Sequence, residues 1–108
     1  MIDNTEIVTL SKPLKTHGGE VTTITLKEPT ARSFFDHGEP FKVRVISDDS
    51  GDRIDFDFNN AVCKKFLADM SGIDDLLLAT LRASDFIALR SRAAQMIMGV
   101  AGSNPTET

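Results

Sequence analysis

Two stretches in the middle of the chain alternate between apolar and charged side chains. Residues 41–45 (Phe-Lys-Val-Arg-Val) alternate apolar with basic positions, and residues 54–58 (Ile-Asp-Phe-Asp-Phe) alternate apolar with acidic ones. Because successive side chains of a strand point to opposite faces, both stretches predict strands with one apolar face. Residues 48–51 (Asp-Asp-Ser-Gly) are typical of a turn, so the sequence predicts a hairpin.

The side chains of this hairpin also predict its register. Pairing Ser47 with Asp52 places all the alternating apolar side chains on one face, which we expect to be buried. The same pairing sets Arg44 opposite Asp55 on the other face, where unlike charges attract each other. A shift by one residue would carry charged side chains onto the apolar face.

A first hairpin is predicted nearer the N-terminus. Residues 6–10 and 21–26 are β-prone, and Gly18-Gly19 between them suits a tight turn. Pro13 has no backbone N–H to donate, so we expect the first strand to lie at an edge or to break early.

A short helix is expected between the two hairpins, capped by Thr30, running through Asp36 and ended by Gly38. Phe34 and Phe35 are adjacent within it, so they cannot both point to one core. We therefore expect one of the two rings at a domain edge or an interface.

From residue 59 onward the apolar positions recur about every 3.6 residues, which indicates helices. The first helix is expected to start from a cap at Asn59 or Asn60 and to stop at Gly72. A shorter one follows from Asp74-Asp75, and Ser84 is expected to cap the last one.

The last predicted helix carries an apolar stripe whose members are spaced by three and four residues: Phe86, Leu89, Ala93, Met96 and Val100. Such a stripe fits either a core position or a short seam for a partner helix, and the core is the more common of the two.

These patterns together predict an α+β fold. It has two N-terminal β-hairpins with a short intervening helix, followed by a C-terminal helical half of about three helices. We expect residues 1–100 to form a single domain, and residues 101–108, which are small and polar, to form a disordered tail.

The composition and the distribution of charge argue against some classes of function. The chain has 108 residues and a net charge of −4 from 12 basic and 16 acidic side chains. That excess lies entirely in residues 48–60, which hold five aspartates against Arg53. Their spacing does not match a calcium-binding loop, and the acidic balance argues against a nucleic-acid binder. Arg32 beside Phe34 and Phe35 is the one candidate for stacking on bases.

The residues that carry catalysis are sparse. Both histidines, His17 and His37, precede glycines in turn-like contexts, and Cys63 lies on an apolar helical face where a buried structural thiol is expected. One cysteine and two histidines are too few for a zinc site. We therefore expect no enzyme activity, no cofactor and no bound metal.

There is no signal-peptide pattern and no apolar run long enough for a membrane span, so we expect a protein of the cytoplasm that does not bind membranes.

The chain resembles the tail assembly chaperones of long-tailed, Mu-like phages and prophages. Residues 10–14 (Leu-Ser-Lys-Pro-Leu) and the Gly18-Gly19 turn resemble the family's opening. Residues 25–30 (Thr-Leu-Lys-Glu-Pro-Thr) resemble the family's next run. Residues 71–76 and 81–86, a Gly-Ile-Asp-Asp-Leu helix start and then Leu-Arg-Ala-Ser-Asp-Phe, complete the ordered set.

The resemblance implies a non-catalytic chaperone in the host bacterial cytoplasm. Such a protein binds the long tape-measure protein, keeps it soluble and helps to recruit tail-tube subunits, and it leaves before the virion is finished. The alternative is a structural tail component retained in the virion. Four methionines and the helical apolar stripe also suit self-association into a homo-oligomer.

For a protein with that role, the expected partner-binding residues are apolar side chains of the helical half, although each also fits an ordinary core position. They are Leu77, Leu78, Phe86, Leu89, Ala93 and Met96.

Overall fold

The structure, a computed structural model, describes residues 5–101. Its elements, in chain order, are β1 (Thr5–Thr16), β2 (Gly19–Lys27), α1 (Ala31–His37), β3 (Phe41–Asp48), β4 (Gly51–Phe58), α2 (Asn60–Ser71), α3 (Asp75–Leu78) and α4 (Ala83–Ala101). Strands β1 and β2 form one antiparallel hairpin, and β3 and β4 form another. The predicted α+β architecture is confirmed. The predicted tail starts at Ala101, which is helical here, and residues 102–108 lie outside the described part of the chain.

The core lies between the first hairpin and the two long helices. Side chains along β1 and β2 alternate between buried and exposed, and the buried side packs on α2 and α4. Ile24 and Leu26 from β2 meet Phe66 and Leu67 from α2, and all four are at most 1% exposed. The first hairpin therefore uses one face for the core and gives the other to solvent, as an antiparallel sheet commonly does.

Strand β1 contains a bulge at the position where Pro13 predicts an interruption. Thr9 pairs with Thr23 and Leu14 pairs with Val21, so the residues between Thr9 and Leu14 leave the ladder. The backbone N–H groups freed by this bulge need other acceptors.

Asp85 at the start of α4 supplies that acceptor. Its carboxylate accepts hydrogen bonds from the backbone N–H of Ser11 at 2.8 Å, the Ser11 hydroxyl at 3.1 Å and the Lys12 N–H at 3.4 Å. Asp85 is only 5% exposed, and the backbone N–H of Ser11 is the main reason that the pKa of its carboxyl lies below the usual value. This carboxylate therefore joins the irregular part of β1 to α4.

The helix ends follow the sequence with one exception. The Asn59 side chain accepts a hydrogen bond from the Val62 N–H and caps α2, and Gly72 ends that helix in a left-handed conformation. The Asp74 side chain caps α3. The prediction that Ser84 caps the last helix is wrong, because α4 already begins at Ala83 and Ser84 lies in its first turn.

Helix α1 starts where predicted and ends one residue later than predicted, at His37. Thr30 occupies the cap position, although its side chain makes no capping hydrogen bond, and Gly38 ends the helix with φ of 87°. Phe34 packs edge-on against Phe66, with ring centroids 4.9 Å apart, whereas Phe35 is 86% exposed. The prediction that the two rings would separate is confirmed.

The register of the second hairpin is confirmed, but the burial of its apolar face is not. Ser47 pairs with Asp52, Val45 with Ile54 and Val43 with Phe56. The expectation that this face is buried is wrong for its outer part, because β3 and β4 reach the core only at the end where they join α1 and α2.

The shape of the molecule reflects this projecting hairpin. Its longest extent is 49 Å, and its radius of gyration is 15.3 Å. A compact domain of this size would have a radius of gyration of about 13 Å. The hairpin thus extends away from the core and does not form a layer over it.

We expect Asp85→Ala to destabilise the fold by about 2 kcal/mol, because it removes a charged acceptor and leaves the N–H groups of the β1 bulge unpaired. Urea unfolding at pH 7 measures this loss. Since folding lowers the pKa of Asp85, its contribution is complete above the unfolded value of about 3.9 and disappears as the pH falls through the lower folded value. The difference between wild type and variant should therefore shrink in acid.

Asp57→Ala, at an exposed position of β4, is the matched control and should change stability little at any pH. Equal losses for the two variants, or an Asp85→Ala effect that does not depend on pH, would contradict the role assigned to the carboxylate.

Candidate protein-docking surface

Most of the predicted partner-binding residues lie inside the folded chain. Leu78, Leu89, Ala93 and Met96 belong to the core, with exposures between 0% and 5%. Leu77 and Phe86 are half-buried. Their role in partner contacts stays a prediction, and four of the six would reach a partner only if the core opened. The largest group of exposed apolar side chains that share one surface lies elsewhere.

That surface is the outer part of the second hairpin. Val45 is 67% exposed, Ile54 60%, Val43 40% and Phe56 39%. The strand register places these four side chains together on one side of β3 and β4, and we name them the hairpin face. Isolated exposed apolar residues are common, but a contiguous patch of them indicates an interaction site.

Aromatic packing anchors the inner end of the hairpin face. Phe41 contacts Phe56 and Phe58 edge-on, at centroid distances of 5.4 and 5.7 Å. The guanidinium of Arg90 on α4 lies 4.1 Å from the centroid of the Phe58 ring and donates a hydrogen bond to Asn60 at 3.0 Å. This stacking fixes the base of the hairpin on α4, while none of the elements within residues 5–101 lies beneath the outer pairs.

Hydrogen bonds to a backbone carbonyl also hold the inner end of the hairpin. The Pro40 carbonyl accepts a hydrogen bond from the Asn59 N–H at 2.8 Å and one from the Cys63 thiol at 3.3 Å. Burial raises the pKa of Cys63, so its thiol stays protonated and serves as a donor. Cys63 is therefore structural, as its place on an apolar helical face indicated.

An apolar cleft continues the hairpin face toward the core. It has a volume of about 360 Å³ and lies between β3, the start of α1 and the C-terminal part of α4. Its walls are mainly apolar: Pro29, Phe34, Glu39, Pro40, Phe41, Val43, Ile97 and Met98. Val43 belongs to both, so the cleft and the hairpin face form one continuous surface.

Charge is distributed unevenly over the two sides of the hairpin. The side opposite the hairpin face carries the basic side chains, and Arg44 pairs there with Asp55 at 3.2 Å. At the turn, Arg53 pairs with Asp48 at 2.8 Å, and hydrogen bonds from Ser50 are the main cause of the lowered pKa of Asp48. Asp52 lies at the outer end of the hairpin face itself, on the same side as Ile54.

One polar cluster superficially resembles catalytic machinery. The Ser33 hydroxyl donates to Asp69 at 2.7 Å, and His37 Nε2 lies 3.0 Å from the same carboxylate oxygen. Nucleophilic catalysis needs the histidine beside the hydroxyl, whereas here both groups bind one acceptor. Ser33 is also 3% exposed, so the cluster serves to join α1 to α2.

Within residues 5–101, no group of three or more metal-binding side chains is placed to hold an ion. Among the described helices, none is both long and apolar enough to cross a membrane.

Comparison with protein families identifies the chain's relatives. A family model described as "Phage tail assembly chaperone proteins, E, or 41 or 14" matches residues 7–98. The chain belongs to this family. No curated protein and no solved structure matched it. The predicted family is confirmed, and with it the general role of a phage tail assembly chaperone.

The sequence predicts that the residues of the chaperone's exposed surface share one apolar face, but it does not predict that this face is exposed. A two-stranded hairpin with one apolar face needs a layer to cover it. Helices α2 and α4 already cover the first hairpin, and this left no predicted element for the second. The predicted fold has more apolar sheet faces than elements that could cover them. This excess could have identified the hairpin face.

We expect Ile54→Thr to lower the free energy of unfolding by less than about 1 kcal/mol, the range of one cross-strand pair on a solvated face. Leu89→Ala, at a fully buried position of the core, should lower it by about 3 kcal/mol. Urea unfolding of both variants gives the comparison. A loss at Ile54 as large as that at Leu89 would mean that the hairpin face is covered in the free protein.

Proposed function

We propose that this tail assembly chaperone is a non-catalytic protein that binds the tape-measure protein of its phage. It keeps that protein soluble and helps to recruit tail-tube subunits in the host bacterial cytoplasm. The observation that supports the proposal is the hairpin face, a contiguous apolar surface left uncovered in a member of this family.

The chemistry of the client explains why such a surface is useful. A tape-measure protein is long and helical with apolar stretches, and before the tail forms around it these stretches would associate with each other. A small acidic module that covers the stretches with one apolar side and turns a charged side to water would prevent this. The two sides of the β3–β4 hairpin have this division.

The free energy expected from burying the hairpin face against a partner suits a temporary complex. Burying a Val, Ile or Phe side chain completely gives about 1.5–3 kcal/mol. The four side chains of the hairpin face are between 39% and 67% exposed, so about half of that gain remains for each. The sum, about 3–6 kcal/mol, is close to the lower end of the cost of association, so one copy binds weakly. Several copies along one long client would hold it and still release it on assembly.

We expect the tape-measure protein to stay in the soluble fraction when it is co-expressed with this chain and to precipitate without it. The double variant Val45→Thr, Ile54→Thr should abolish this rescue, because it removes methyl groups from the most exposed pair while keeping β-branched side chains. Sedimentation of lysates followed by quantification of both proteins measures the effect.

The matched control is Ile46→Thr, which makes the same exchange on the opposite side of the hairpin, where Ile46 pairs with Arg53. It should preserve rescue. Full rescue by the double variant, with circular dichroism showing that it is folded, would contradict the proposal that the hairpin face holds the client.

A further inference from the structure

We infer that the occupant of the hairpin face is an amphipathic helix of about five turns that carries basic side chains at both ends. This inference rests on the proposed function, since it names the chemistry of the segment that the same surface binds. It depends on two properties of the surface, its dimensions and the placement of its charges.

The dimensions fit one helix. Strands β3 and β4 each have eight residues, about 26 Å; the hairpin face takes the outer part of this length, and the cleft beside Val43 continues the surface inward. Two strands side by side present a face about 10 Å wide, equal to the diameter of an α-helix with its side chains. A helix that spans this length has about 18 residues, and its apolar stripe would follow the outer pairs of the hairpin into the cleft beside Val43.

The charges at the two ends of the surface have the same sign. Asp52 lies at the outer end on the apolar side, and Glu39 lines the cleft at the inner end. Neither carboxylate takes part in an ion pair within the described residues. A helix with a lysine or arginine near each end would neutralise both of them.

The cations of the hairpin do not neutralise the two carboxylates on its apolar side. Lys42, Arg44 and Arg53 project to the opposite side by the strand alternation. Arg90, beside the inner end, is stacked on Phe58 and bonded to Asn60. The surface is therefore apolar along its length and acidic at its ends.

The same features disfavour a second copy of this chain as the occupant. Two hairpin faces stacked in opposite directions would bring Asp52 of each copy toward Glu39 of the other, and stacked in the same direction they would bring Asp52 toward Asp52. Each arrangement places like charges together.

The test uses two synthetic 18-residue helical peptides with the same leucine and alanine stripe, one with lysines at both ends and one with glutamates. Fluorescence anisotropy with the full chain measures their Kd. We expect the lysine peptide to bind about tenfold more tightly at low salt, and this difference to shrink at 1 M salt. The double variant Glu39→Gln, Asp52→Asn should remove most of the difference, whereas Asp57→Asn on the opposite side should keep it.

Three outcomes would overturn the inference. Equal binding of the two peptides removes the charge argument, and binding of neither peptide removes the helix as occupant. The third is a dimer of the free chain in sedimentation equilibrium that Ile54→Thr abolishes, because a second copy then covers the face. In each case, solubility rescue of the tape-measure protein still reports on the proposed function independently.

Discussion

A hairpin that is anchored at one end only must leave part of its apolar side in water. In this protein the anchor is the Phe41–Phe58 pair, fixed by Arg90 and by the hydrogen bonds to the Pro40 carbonyl. The helices that could have covered the remaining pairs are occupied by the first hairpin. The uncovered surface is thus a consequence of both long helices packing on the first hairpin.

Local interactions explain why the sequence predicted so much of the fold. The register of β3 and β4 follows from the alternation of apolar and charged side chains and from the turn between the strands. The ends of α2 follow from the side chain of Asn59 and the backbone freedom of Gly72, which act within a few residues. The bulge in β1 was predictable as an interruption at Pro13. Its partner was not, because Asp85 is 74 residues from Ser11 and looks in sequence like an ordinary helix-start charge.

The candidate site was harder to predict because burial depends on tertiary packing. An apolar stripe spaced by three and four residues has the same pattern whether it faces a core or a partner, and in α4 Leu89 and Met96 face the core. The alternating strands, in contrast, had the pattern of a half-buried sheet, although only their inner end is covered. In both cases the spacing of the apolar residues predicted the right secondary structure. Whether those residues face the core or solvent was decided by elements distant in sequence.

Hydrogen–deuterium exchange on the free chain and on the proposed complex with the tape-measure protein would show whether β3 and β4 are uncovered until the client binds. We expect amides in the outer part of β3 and β4 to exchange faster than those of β1 and β2 in the free chain, and client binding to slow them. Slow exchange of this hairpin in the free chain, or protection on binding that appears only in other elements, would contradict the account.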